Sequence, residues 1–111
     1  YRVYAVQTAT QPTDPETQLW RAPFPNVHDD GRICQGSAAF PTCTPGTIHA
    51  AARVFLESAF NHDLNVGKSQ DQRKAVTAQW QALAAEGATA YPLDDLVAAT
   101  RPGTLHELWE G

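Results

Sequence analysis

"FPNVHDDGRIC", residues 24–34, decides how this chain is read. Asn26 and Cys34 stand on either side of a polar reversal built on Asp29, Asp30 and Gly31. Asp-Gly signals a tight turn because glycine reaches positive φ without steric cost. Two readings fit the stretch: a β-hairpin that ends in a small apolar thiol, or an active site that forms a thioester. A cysteine attacks only as thiolate, so it needs partial exposure and a neighbour that takes or stabilises its proton. Gln35, Gly36 and Ser37 are small or polar and leave Cys34 open, and strand alternation lets Ile33 point inward while Cys34 points out. Cys43 lies between Thr42 and Thr44 ahead of a predicted helix, whose N-terminus favours a thiolate. Residue type alone favours a small buried hydrophobe at either position.

Outward from the turn, the chain divides into a strand-and-loop half and a helical half. "YRVYAVQT" (1–8) is rich in Val and Tyr with no breaker and predicts a well-buried strand. "ATQPTDPET" (9–17) is loop, and "QLWRAPF" (18–24) predicts a second short strand stopped by Pro23 and Pro25. "TPGTIHAAARVFLESAFN" (44–61) predicts a helix with Pro45 near its start, Thr44 or Thr47 as N-cap, and Asn61 as terminator. Ile48, Ala51, Ala52, Phe55 and Ala59 fall on one face of it. "HDLNVGK" (62–68) is loop. "SQDQRKAVTAQWQALAAEG" (69–87) predicts a second helix, opened by Ser69 and Gln72 at capping-box spacing, striped by Val76, Trp80 and Leu83, and ended by Gly87. Two shorter apolar segments follow, split by Arg101-Pro102-Gly103. Strands first and helices after define an α+β class.

The 111 residues suffice for a single domain, taken as 1–111, with one modest core. A chain 42% hydrophobic and 18% charged is ordinary for a globular protein. A net charge of −4 with scattered Lys and Arg gives no footprint for nucleic acid. No apolar run approaches a membrane span, and no signal-peptide pattern opens the chain. Two cysteines without a scaffold pattern predict free thiols and a cytoplasmic protein. The absence of any Met, with a strand-like run starting at Tyr1, reads as a piece of a longer protein.

The central stretch resembles the active-site signature of ubiquitin-conjugating enzymes. There a His-Pro-Asn tripeptide is followed, after a short turn ending in Gly-x-Ile/Val-Cys, by the thioester cysteine. Pro25-Asn26-Val27 and Gly31-Arg32-Ile33-Cys34 match with the family's spacing of Asn to Cys. The proline-bracketed strand upstream and the proline-started helix downstream extend the likeness over about residues 12 to 61. Nearer still, "YRVYAV", "QPTDPETQLWRAPFPNV", "DGRICQGSA" and "ESAFNHDL" resemble the PRTRC system protein B family, a bacterial version of that fold. Its members lie in plasmid-type cassettes beside ParB-related and ThiF-related proteins.

The resemblance implies an antiparallel β-meander followed by helices, with the fold's N-terminal helix and first strands lacking from this stretch. It implies a transferase in which Cys34 receives an activated ubiquitin-like protein from a ThiF-type adenylating partner, with no cofactor. Asn26 then stabilises an oxyanion, and the alternative for it is a turn residue satisfying its own backbone. His62 serves as base for the thiol or the incoming amine, and the alternative is a solvated loop histidine. His28 reads as exposed in the turn, and His49 and His106 as surface. A zinc site from His28, Cys34, Cys43 and His62 lacks any short paired spacing, so no metal is expected. Two departures stand out: Phe24 occupies the family's histidine position, and Gln35-Gly36 replaces the usual Leu-Asp after the cysteine. The competing class is a catalytically silent binding module.

Overall fold

The computed structural model describes residues 1–8, 11–35, 38–57, 64–71 and 73–110. Among them lie a two-stranded antiparallel sheet and three α-helices, an α+β architecture. Strand β1 (Tyr4–Ala5) pairs with β2 (Trp20–Arg21), Tyr4 opposite Arg21 and Ala5 opposite Trp20. Isolated bridges widen this ribbon on both sides. Arg2 pairs with Arg32, and Trp20 and Gln18 pair with Ala98 and Thr104.

The strand expected over residues 1–8 is shorter and less buried than its composition suggests. Residues 1–3 pair with the hairpin, the Val3 N–H donating to the Gly31 carbonyl (2.8 Å), while residues 4–5 pair with β2. The segment changes partner midway, so neither ladder grows long, and residues 3–6 remain only half-buried.

Helix α1 (Ile48–Glu57) follows a 3₁₀ turn over Pro45–Thr47. Of the two expected caps, Thr44 takes the N-cap position: its N–H donates to Thr47 Oγ1 at 3.0 Å, and the Thr47 N–H donates to its carbonyl. Of the predicted apolar face, Ala51 and Phe55 are buried, whereas Ile48 stays 49% exposed and Ala52 exposed. These two border a cleft of about 330 Å³ shared with Tyr1, Val3, Ile33 and Leu56. Ala59 and Asn61 lie outside the described residues.

Helix α2 (Val76–Ala85) begins later than the capping-box spacing indicates. Ser69 instead donates to Asp95 Oδ1 (2.9 Å) and accepts from the Asp71 N–H, and Gln72 lies outside the described residues. The cap comes from another segment. Asn65 accepts the Val76 N–H on its carbonyl (2.7 Å) and the Thr77 N–H on Oδ1 (3.1 Å), satisfying two of the first-turn donors. Asp95 gathers these segments, since Gln79 Nε2, Ser69 Oγ and the Gln70 N–H all donate to it. Helix α3 (Leu105–Glu110) closes the described chain. The core gathers Ala22, Val27 and Phe55, with Val3, Phe24, Ile33 and Phe40 against it.

Candidate active site

The spacing of Asn26 and Cys34 is a hairpin register. The His28 N–H donates to the Arg32 carbonyl (2.8 Å), Val27 bridges Ile33, and the Cys34 N–H donates to the Asn26 carbonyl (2.7 Å). Asp29, Asp30 and Gly31 form the loop, closed by the Gly31 N–H on the His28 carbonyl (2.9 Å). Gly31 is required on two counts. Its φ is +88°, and a Cβ there would overlap the ring of Tyr4, whose hydroxyl donates to the Asp30 carbonyl. The loop is stiffened by Arg32 Nε on Asp30 Oδ2 at 2.8 Å. Desolvation pushes the Asp30 carboxyl upward, but the Arg32 backbone N–H, its charge and its side-chain hydrogen bond together hold it below the usual value.

Val27, fully buried, and Ile33 face the core. Alternation therefore carries Asn26 and Cys34 to the other face as cross-strand neighbours. Cys34 is half-buried and Cys43 exposed, and neither is in a disulfide.

Asn26 is 3% exposed, and its side-chain oxygen is buried with no hydrogen-bond partner among the described residues. A polar atom left so costs about 1–3 kcal/mol, so the turn does not use this oxygen. The backbone leading into it is held instead. Trp80 Nε1 donates to the Pro23 carbonyl (3.1 Å), and the Leu64 N–H donates to the Pro25 carbonyl (3.1 Å). Between them, Phe24 meets Phe55 edge-on (centroids 5.0 Å apart) and Trp80 likewise (5.6 Å). The position that is histidine in the resembled family is here an aromatic packing residue.

His62 lies outside the described residues. His28 is half-buried rather than exposed, and His49 and His106 are exposed as expected. Among the described residues no three or more His, Cys, Asp or Glu side chains converge as metal ligands. No described helix is long and apolar enough to cross a membrane.

The residues sequence reasoning missed belong to the turn after His62. Lys68 is 1% exposed and donates to the Leu64 carbonyl at 2.5 Å. Burial pushes its ammonium below the usual value, Asp29 pulls it back up, and Arg21 pushes it down. Arg21 donates to the Gly67 carbonyl (2.9 Å) and lies 3.4 Å from Asp29. A lysine in a polar loop reads as solvated; the signal available was Gly67, a residue type that suits the positive φ (+84°) the turn takes.

The α+β architecture with its Asn–Cys hairpin is compatible with the fold of ubiquitin-conjugating (E2) enzymes. The family model of prokaryotic E2 family D matches residues 1–99, and the chain belongs to that family. No curated protein and no solved structure gives a significant match.

Proposed function

We propose that this chain is a thioester carrier of the PRTRC system protein B type. Cys34 takes the activated C-terminus of a ubiquitin-like protein from a ThiF-type adenylating partner. The thiolate attacks the acyl-adenylate, the C–S bond forms and AMP leaves. An amine then attacks the thioester carbon, the C–N bond forms, the C–S bond breaks, and the cysteine leaves as thiolate. The observation that carries this reading is the register that sets Asn26 directly across from a half-buried Cys34, in a member of an E2 family. The Asn26 amide can donate to the oxyanion that forms when the amine attacks the thioester. His62 is the base in this reading, relieving the incoming amine or the thiol of its proton.

The test combines the full-length protein with the adenylating partner, the ubiquitin-like protein and ATP. An adduct cleaved by thiol reductants is expected, lost or converted to an oxyester in Cys34→Ser and unchanged in Cys43→Ser. Loss in Cys43→Ser alone would move the site to the other cysteine. Alkylation of Cys34 at neutral pH should be faster in the wild type than in His62→Gln.

One observation favours a second reading, that of a silent binding module: Phe24 is committed to packing where the resembled enzymes carry histidine. On that reading Cys34 resists alkylation in the folded protein and forms no adduct.

A further inference from the structure

Lys68 is the side chain whose position the proposed chemistry leaves unexplained. It is nearly inaccessible, and a buried ammonium is costly unless something holds it. What holds it is the Leu64 carbonyl, contacted at 2.5 Å, with Asp29 as the neighbouring carboxylate. The same turn is gripped from outside by Arg21, whose guanidinium donates to the Gly67 carbonyl and lies 3.4 Å from Asp29. Asp29 belongs to the loop of the Asn26–Cys34 hairpin, and Arg21 to β2. The turn over residues 64–68 is thus pinned to two segments of the site. Its own output is the Leu64 N–H, which donates to the Pro25 carbonyl, the peptide group joined to Asn26. Among the described residues no hydrogen bond to Oδ1 fixes the Asn26 side chain, so its orientation depends on its backbone.

We propose that Lys68 is a positioning residue for Asn26: by tying the Leu64 carbonyl it shapes the 64–68 turn, whose Leu64 amide seats Pro25 and so aims the Asn26 amide at the Cys34 thioester. The inference rests on the thioester reading. It predicts that Lys68 acts on the step that needs an oriented amide donor and acts only through Asn26.

The experiment loads Cys34 of the full-length protein by exchange with a peptide α-thioester, releasing the small thiol. It then follows attack by free lysine, in which the amide C–N bond forms and Cys34 leaves. Lys68→Met keeps length and removes the donor. Discharge should slow by at least about tenfold, within the hundredfold that a misplacement of roughly 1 Å costs. The loss should fall on kcat, with KM for lysine unchanged. Asn26→Ala/Lys68→Met should be no slower than Asn26→Ala, because residues acting through one another are not additive. Wild-type discharge by folded Lys68→Met, or a double mutant slowed by the product of the two single effects, overturns the proposal. Should Lys68→Met fail to fold, Gly67→Ala strains the same turn and leaves Lys68 in place. It must then show the same loss on kcat, and wild-type discharge by it overturns the proposal equally. A wild-type protein that cannot be loaded at Cys34 defeats the carrier reading itself, an outcome distinct from loading followed by undiminished discharge.

Discussion

Asn26 is held by its neighbours while its own side-chain oxygen has no hydrogen-bond partner among the described residues. Its carbonyl receives the Cys34 N–H, and the carbonyl before it receives the Leu64 N–H. A residue present for its turn would place its amide on nearby backbone, as asparagines in turns do. Asn26→Ala separates the two roles. As an oxyanion donor its loss should slow discharge to an amine by about a hundredfold, with thioester formation nearly intact and the melting temperature unchanged or raised, since a buried orphan oxygen is removed with it. A lower Tm with unchanged discharge per folded molecule would make it a turn residue after all.

At the scale of elements, the segment 64–70 is the joint between the two halves of the domain. Leu64 reaches the Pro25 carbonyl in the strand-and-loop half, and Asn65 caps α2 in the helical half. Trp80, one turn into α2, returns a hydrogen bond to Pro23. The helix therefore has no capping residue of its own: Ala75 precedes it and offers no side-chain acceptor. Asn65→Ala should cost about 1 kcal/mol, the usual worth of an N-cap, and lower Tm by roughly 4–8 °C. Ser69→Ala disturbs the Asp95 contact and should leave the amide protection of the first turn of α2 intact. Hydrogen exchange at Val76 and Thr77 reads both variants, and protection lost in Ser69→Ala but kept in Asn65→Ala would restore the local capping box.

For the whole molecule, Lys68 is where β2, the hairpin loop and the 64–68 turn meet, and its titration reports on that union. Burial lowers its pKa in the folded chain below 10.5, with Asp29 opposing and Arg21 adding to the shift. Between the lowered value and 10.5 the unfolded chain binds more protons than the folded one, so rising pH stabilises the fold. Below the lowered value the cost of the buried ammonium is carried in full. The Tm of the wild type should therefore gain on that of Lys68→Met as pH rises from neutral toward 10.5. Tyr4 and Tyr91, both raised by burial, titrate in both proteins and cancel in the difference. A gap that is flat with pH would place Lys68 in solvent.

The sequence by itself determined the reversal at Asp29–Gly31, and with it the pairing of Asn26 and Cys34. Glycine at positive φ and a three-residue loop leave one register, and that information is local. The 3₁₀ turn at Thr44–Thr47 that leads into α1 was legible for the same reason, because capping is settled within a few residues. What only the tertiary structure decided are the contacts that need distant partners. They are the Asn65 cap in place of Ser69, Phe24 between Phe55 and Trp80, the division of residues 1–5 between two partners, and the burial of Lys68. Each draws on residues far apart in the chain, brought together only by packing. No periodicity or turn signal can encode a hydrogen bond whose acceptor is supplied by another segment.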